Sequence, residues 1–182
     1  MNEIIWAGWR MKYIDSPKSK VCLFCDKANS KPGKRNLVLA VSEECLIMLN
    51  AFPYNCGHLM IAPKRHVGTV SRLTESESCD LVRQVSLCER LLKKAYRAQG
   101  LNIGLNLGRC AGAGVLGHLH VHVVPRWLGD TNFMSTVSNT KVLPEAIGDT
   151  YSNLKKALDE MKSASERVAR RRGHGPKKGR SS

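Results

Sequence analysis

No apolar run in this chain of 182 residues approaches the roughly 20 residues that a membrane-spanning helix requires. The opening stretch "MNEIIWAGWRMKYID" lacks the basic start, long apolar middle and small-residue cleavage site of a secretory signal. The seven cysteines are odd in number and scattered among apolar neighbours, which argues against a disulfide framework. Membrane-spanning and disulfide-stapled classes are set aside on these grounds, and a cytoplasmic location is expected. Internal repeats are lacking, as is any sign of a second packed domain. Acidic residues are scarce, 15 against 29 Lys and Arg, which leaves a formal net charge of +14.

That charge is unevenly placed. From Arg167 onward, "RVARRRGHGPKKGRSS" holds seven Lys or Arg and no acid, so a basic tail over 167–182 is expected beyond one compact domain over 1–166. Glycines, a proline and like charges give such a tail no surface to bury. It reads either as a solubilising segment or as a loose attachment to nucleic acid through phosphate contacts.

Within the body, "LVLAV", "CLIML" and "HLMIAP" are apolar runs separated by the turn-like "SEE" and "NAFPYNCG", and they predict successive antiparallel strands. "LTESESCDLVRQVSLCERLLKKAYRAQG" opens with a capping box, Thr74 and Glu77, and carries an apolar stripe through Leu81, Val85, Leu92 and Tyr96 up to a stop at Gly100. "NIGLNL" and "HLHVHVV" supply two more strands, and a second helix is expected from Pro144 through Ile147, Tyr151, Leu154, Leu158 and Met161. The fold class is α+β: a mainly antiparallel sheet of about five strands, a long central helix and a C-terminal helix.

Three of the six histidines fall in "HLHVHVV". Alternation along a strand puts His118, His120 and His122 on one side and Leu119, Val121 and Val123 on the other. Three readings follow: a polar core with each ring hydrogen-bonded, a metal site, or a nucleophile beside a phosphate site. A neutral imidazole near its unperturbed pKa of about 6.5 is a competent nucleophile. Asn106, Gly108, Gly112 and Gly114 in the preceding loop would let backbone N–H groups approach an anion. Cys22 and Cys25 form a Cys-x-x-Cys pair, which by spacing alone is a coincidence, a redox pair or half of a tetrahedral metal site.

"HLHVHVV" resembles the His-φ-His-φ-His-φ-φ signature of the histidine triad (HIT) nucleotide hydrolases and transferases. "WAGWRMKYI", "CLFC", "NAFPYNCGHLMIAPKRH" and "NLGRCAGAG" through "PRWLGDTNFM" are similar to the same family in order, and "AGAG", "PRWLGDTNF" and "TKVLPE" resemble its bacterial diadenosine polyphosphate phosphorylase branch. The resemblance implies a HIT-like fold and a homodimer. It implies His120 as the nucleophile on an α-phosphorus and His122 against the transferred phosphate. Asn50 would hold ribose hydroxyls; Asn106 and the backbone of Gly112, Ala113 and Gly114 would contact phosphate oxygens; Trp127, Asp130 and Asn132 would stand on the substrate side. A structural zinc would be held by Cys22, Cys25, His66 and His118, with no organic cofactor. His58 reads as a structural residue at a strand start.

The implied reaction is phosphorolysis of a dinucleoside polyphosphate by inorganic phosphate, through a nucleotidyl-histidine. Two alternatives stay open: a HIT hydrolase of dinucleoside polyphosphates or nucleoside phosphoramidates, and a nucleotide-binding regulatory module attached to nucleic acid by its tail. Where many relatives carry a Gln or Ser donor before the triad, this chain has Ala113 and Gly114.

Overall fold

The computed structural model describes residues 21–130 and 145–173. Five strands, β1 (Val38–Val41), β2 (Cys45–Leu49), β3 (Leu59–Pro63), β4 (Gly100–Leu105) and β5 (Val121–Arg126), form one sheet in the order β1-β2-β3-β5-β4. Every neighbouring pair is antiparallel. A short helix α1 (Leu23–Ala28) precedes the sheet, the long helix α2 (Glu75–Tyr96) joins β3 to β4, and α3 (Ile147–Gly173) follows β5. The α+β architecture expected from the sequence is the one observed.

Both faces of the central strands are covered, which is why β2 and β3 are apolar throughout and wholly buried. One face, with Ile47, Leu49, Leu59, Ile61, Val121 and Val123, packs on Leu91 and Leu92 of α2 and on Leu154 and Leu158 of α3. The opposite face, with Val38, Leu46, Met48, Met60 and Ala62, receives Phe24 from α1. His122 lies opposite Met60 in the β3–β5 register and so points to the α1 face.

Three boundaries differ from the expectations. The capping box of α2 forms as read, with Thr74 Oγ1 accepting from Glu77 N–H and the Glu77 carboxylate accepting from Thr74 N–H. The helix nevertheless ends at Tyr96, where Arg97 takes the left-handed conformation (φ 50°) and returns its N–H to Lys93; Gly100 opens β4 instead. "HLHVHVV" is a paired strand only from Val121, because continuing the register would set Leu119 against Pro63, which has no N–H to donate. Finally, α3 starts at Ile147 and continues past position 166 to Gly173; Pro144 and the tail from His174 lie outside the described residues.

Candidate active site

The α1 face of β5 gathers four histidines. His120 is 4% exposed, and its Nδ1–H donates to the His118 carbonyl at 2.9 Å, which leaves Nε2 as a lone pair. Burial, partly opposed by that hydrogen bond, holds its pKa below the usual 6.5, so the ring is neutral at pH 7. The edge of His122 stands against it, ring centroids 4.9 Å apart. His122 Nδ1 lies 3.0 Å from Nε2 of the buried His58. Because His58 Nδ1 accepts from the Tyr54 N–H at 3.1 Å, the His58 proton sits on Nε2 and is donated to His122 Nδ1. His122 is left with Nε2–H as its remaining donor.

His58 thus enters the site beside the triad. Its partner Asn50 places Nδ2 at 3.3 Å from the same Nδ1, while Asn50 Oδ1 accepts the Phe52 N–H at 3.0 Å. The available signal was the hairpin itself: "NAFPYNCGH" folds back so that Asn50 N–H donates to the His58 carbonyl at 3.0 Å. A cavity of about 270 Å³ opens beside these two residues, walled by Leu49, Pro53 and Ile147 and floored by Glu145 and Thr150. Gly104 lies opposite His122 on β4, and a Cβ there would meet nothing within 4 Å, so the space beside that ring is open.

Asn106 follows β4 directly and is half-buried. In the loop after it, the Gly112 N–H donates to Arg109 O at 2.9 Å and the Ala113 N–H to Gly108 O at 3.3 Å. Those two N–H groups serve the loop's own turn. Gly114 is half-buried, and Val115 packs on the Phe24 cluster, which brings this loop to the triad's face. Trp127 and Asp130 stand at the far end of β5. The Trp127 indole N–H donates to Tyr96 O at 3.2 Å. The Asp130 carboxylate accepts from Arg126 at 2.6 Å, from Asn55 at 3.0 Å and from the Trp127 N–H at 3.2 Å. Asn55 belongs to the 50–58 hairpin, so this clasp ties that hairpin to β5. Asn132 lies outside the described residues.

A second cluster adjoins the triad. Ligand atoms of Cys22, Cys25, His66 and His118 all lie within 4.8 Å of one another. His118 Nδ1 is 3.2 Å from the Cys22 sulfur and 3.5 Å from that of Cys25, and His66 Nδ1 is 3.2 Å from Cys25. His118 Nε2 donates to the Pro63 carbonyl at 2.8 Å, so the Nδ1 lone pair faces the thiols. Burial keeps His118 below its usual pKa, hence neutral, and burial together with the neighbouring Cys22 raises the Cys25 thiol. Bond lengths of about 2.0–2.3 Å set tetrahedral zinc ligands roughly 3.3–3.8 Å apart; the three sulfur–nitrogen separations of 3.2, 3.2 and 3.5 Å lie close to that spacing, and two sulfurs with two imidazole nitrogens are a donor set that suits such an ion. Among the described residues the set numbers four and holds no carboxylate, as in sites that brace a fold.

Two glycines let the corner close. Gly117, just before His118, has φ +78°, and a Cβ on Gly68 would meet the Gly117 carbonyl oxygen at 3.2 Å. The His66 loop and the triad's first residue therefore approach backbone to backbone.

Residues 32–127 match the HIT domain family. The AP-4-A phosphorylase of Mycobacterium tuberculosis (strain ATCC 25618 / H37Rv) is 37% identical over 154 residues, which is 80% of this chain and 79% of that protein. The asymmetrical bis(5'-nucleosyl)-tetraphosphatase of Schizosaccharomyces pombe is 37% identical over 82 residues, 45% of this chain and 44% of that one. Among solved structures, a hypothetical histidine triad nucleotide-binding protein from Sulfolobus tokodaii strain7 superposes with a TM-score of 0.62 at 27% identity, covering 78% of this chain and 94% of that one. A Zn-bound histidine triad family protein from Mycobacterium smegmatis gives 0.57 at 24% identity over 79% and 96%, a likeness that bears on the fold.

Proposed function

This chain belongs to the HIT domain family, and from that premise we propose that it is a nucleotidyl transferase that cleaves dinucleoside polyphosphates by phosphorolysis. The observation that carries this reading is the buried, neutral His120, whose Nδ1–H is committed to a backbone carbonyl so that Nε2 is the free lone pair. Nε2 attacks an α-phosphorus, and the bond from that phosphorus to its bridging oxygen breaks. With diadenosine tetraphosphate, ATP leaves and AMP stays on His120. An oxygen of inorganic phosphate then attacks the same phosphorus, the P–N bond breaks, and ADP is released. Phosphate, rather than water, is favoured as acceptor by the AP-4-A phosphorylase that is similar over four fifths of both chains.

His122, whose ring proton is left on Nε2 by the His58 hydrogen bond, would stabilise charge on the transferred group. Asn50, hydrogen-bonded to the His58 that backs His122, would hold ribose hydroxyls; Asn106 and the 112–114 loop would border the polyphosphate. Asp130 holds the 50–58 hairpin through Asn55 and Trp127 ties the end of β5 to α2; with Asn132 they would stand on the substrate side. Cys22, Cys25, His66 and His118 would hold Zn²⁺, which supplies a structural cross-link between α1 and the sheet. A homodimer is supported by β4, which forms one edge of the sheet and exposes Ile103 and Leu105, with Leu107 exposed two residues beyond it. The HIT domain would occupy 1–166, with a basic tail after it that would serve either as a solubilising segment or as an attachment to nucleic acid, and the location would be cytoplasmic. No described helix is long and apolar enough to cross a membrane.

Incubation of the purified protein with diadenosine tetraphosphate, with and without inorganic phosphate and with His120→Ala as control, tests the reading. ADP plus ATP formed only when phosphate is present is the expected outcome. AMP plus ATP regardless of phosphate would make it a hydrolase, the reading favoured by the tetraphosphatase relative. Turnover retained in His120→Ala would remove the nucleophile assignment.

A further inference from the structure

His120 is oriented by the carbonyl of His118, at 2.9 Å from its Nδ1, and by the ring of Phe24, with centroids 4.9 Å apart. Both contacts come from the Cys/His corner. One peptide unit, between His118 and Leu119, supplies the carbonyl that His120 uses and the N–H that donates to Val67 O at 2.7 Å. That peptide is bracketed by two of the four candidate ligands, His118 itself and the His66 that precedes Val67.

Phe24 belongs to the corner as well. It lies between Cys22 and Cys25 at the start of α1, is fully buried, and packs on the His118 ring at 5.1 Å as well as on His120. A helix of six residues does not stand on its own propensity. The position of Phe24 is therefore set by its packing on Val38, Leu46 and Met60 together with whatever fastens the two cysteines on either side of it.

We propose that Phe24 and the His118–Leu119 peptide make the Cys22, Cys25, His66 and His118 corner a positioning device for His120, so that a cation on those four residues holds the nucleophile's ring in its attacking orientation. This rests on His120 being the nucleophile. Phe24 is a positioning residue and touches no substrate.

Zinc-loaded full-length protein is compared with its Phe24→Leu variant, since leucine keeps an apolar filling in the same place. Zinc content, steady-state kinetics with diadenosine tetraphosphate and phosphate, and NMR of 15N-histidine-labelled protein are read together. The variant is expected to keep one zinc per chain and to lose about tenfold or more in kcat with KM within about twofold, since small misplacements of a reacting group cost rate steeply. Its His120 Nδ1–H signal is expected to broaden. Unchanged kcat with a sharp Nδ1–H signal would overturn the proposal.

Chelation of the wild-type protein gives an arm that needs no variant. The His120 Nδ1–H signal is expected to vanish while β2 and β3 amides stay protected from exchange; a signal that persists without metal overturns the proposal. Absence of turnover in the wild type would refute the proposed reaction, while the NMR arms would still decide the coupling.

Discussion

Glu77 is expected to govern part of the acid sensitivity of the fold. Its carboxylate is 3% exposed and accepts from Arg65 Nε and Nη2, both at 2.7 Å, and from the Thr74 N–H at 2.8 Å. The Arg65 guanidinium, opposed by burial and helped by the Thr74 N–H, holds its pKa at about 2, where 4.5 is usual. At about 1.4 kcal/mol per unit, that drop corresponds to about 3 kcal/mol. Arg65 is 51% exposed, so solvent screening brings the figure nearer about 2 kcal/mol. A depressed folded pKa contributes fully above 4.5 and is lost as the pH falls through about 2. Glu77→Gln keeps the shape and leaves a capping-box residue at that position, so it isolates the charge. Urea unfolding at neutral pH should show the variant less stable by about 2 kcal/mol, with more than half of that gap gone by about pH 3. Histidine protonation and metal loss occur in both proteins and cancel in the difference. A gap of constant size from neutral pH to about pH 3 would refute the argument.

His58→Leu should lower kcat with little change in KM, because it frees the His122 ring, while His58→Gln, which retains an N–H donor, should recover most of the rate; equal loss in both would leave His58 a packing residue. Gly117→Ala should lower stability by about 1 kcal/mol, a fall in Tm of about 2–4 °C, since its φ of +78° is strained for alanine and the new Cβ meets His66 Nε2 only at 3.6 Å. Gly68→Ala should instead weaken zinc binding, because its Cβ strikes the Gly117 backbone at 3.2–3.3 Å; wild-type zinc affinity in a competition assay would contradict this. Chelation of the wild type should lower Tm by several degrees, measured by a calorimetric scan with and without chelator; an unchanged Tm would show that the corner does not brace the fold.

Features set by neighbours in sequence were legible. The Thr74–Glu77 capping box is a four-residue pattern, and the runs around Ile47 and Ile61 are apolar because both faces of the sheet are covered. Features set by distant backbone were not. The end of α2 at Arg97 needed a left-handed arginine that no residue type announces. The start of β5 at Val121 depends on Pro63, 58 positions earlier. His58 resembled any strand-opening histidine, since its place beside His122 follows from the register that pairs Leu59 with Val123 and Met60 with His122. Gly117, by contrast, becomes intelligible once φ is known, as the residue that turns the chain into His118.

The same distinction explains how one repeated residue type divides its work. His118, His120 and His122 are chemically alike and evenly spaced, yet each ring meets a different fixed partner. Pro63 has a carbonyl but no N–H, so it takes the Nε2 proton of His118 and turns Nδ1 toward the thiols. The His118 carbonyl takes the Nδ1 proton of His120 and leaves Nε2 to attack. The Tyr54 N–H, acting through His58, forces a donor onto Nδ1 of His122 and leaves its proton on Nε2. The three roles proposed for these identical side chains, metal ligand, nucleophile and hydrogen-bond donor, differ because backbone groups, acting directly on His118 and His120 and through His58 on His122, select the tautomer of each. Replacing His120 or His122 should therefore leave the tautomers of the remaining triad rings in place, with His58 as the side chain whose change alters a neighbour; 15N shifts of the remaining rings in His120→Ala would show displaced protons if the selection instead passed from ring to ring along the triad.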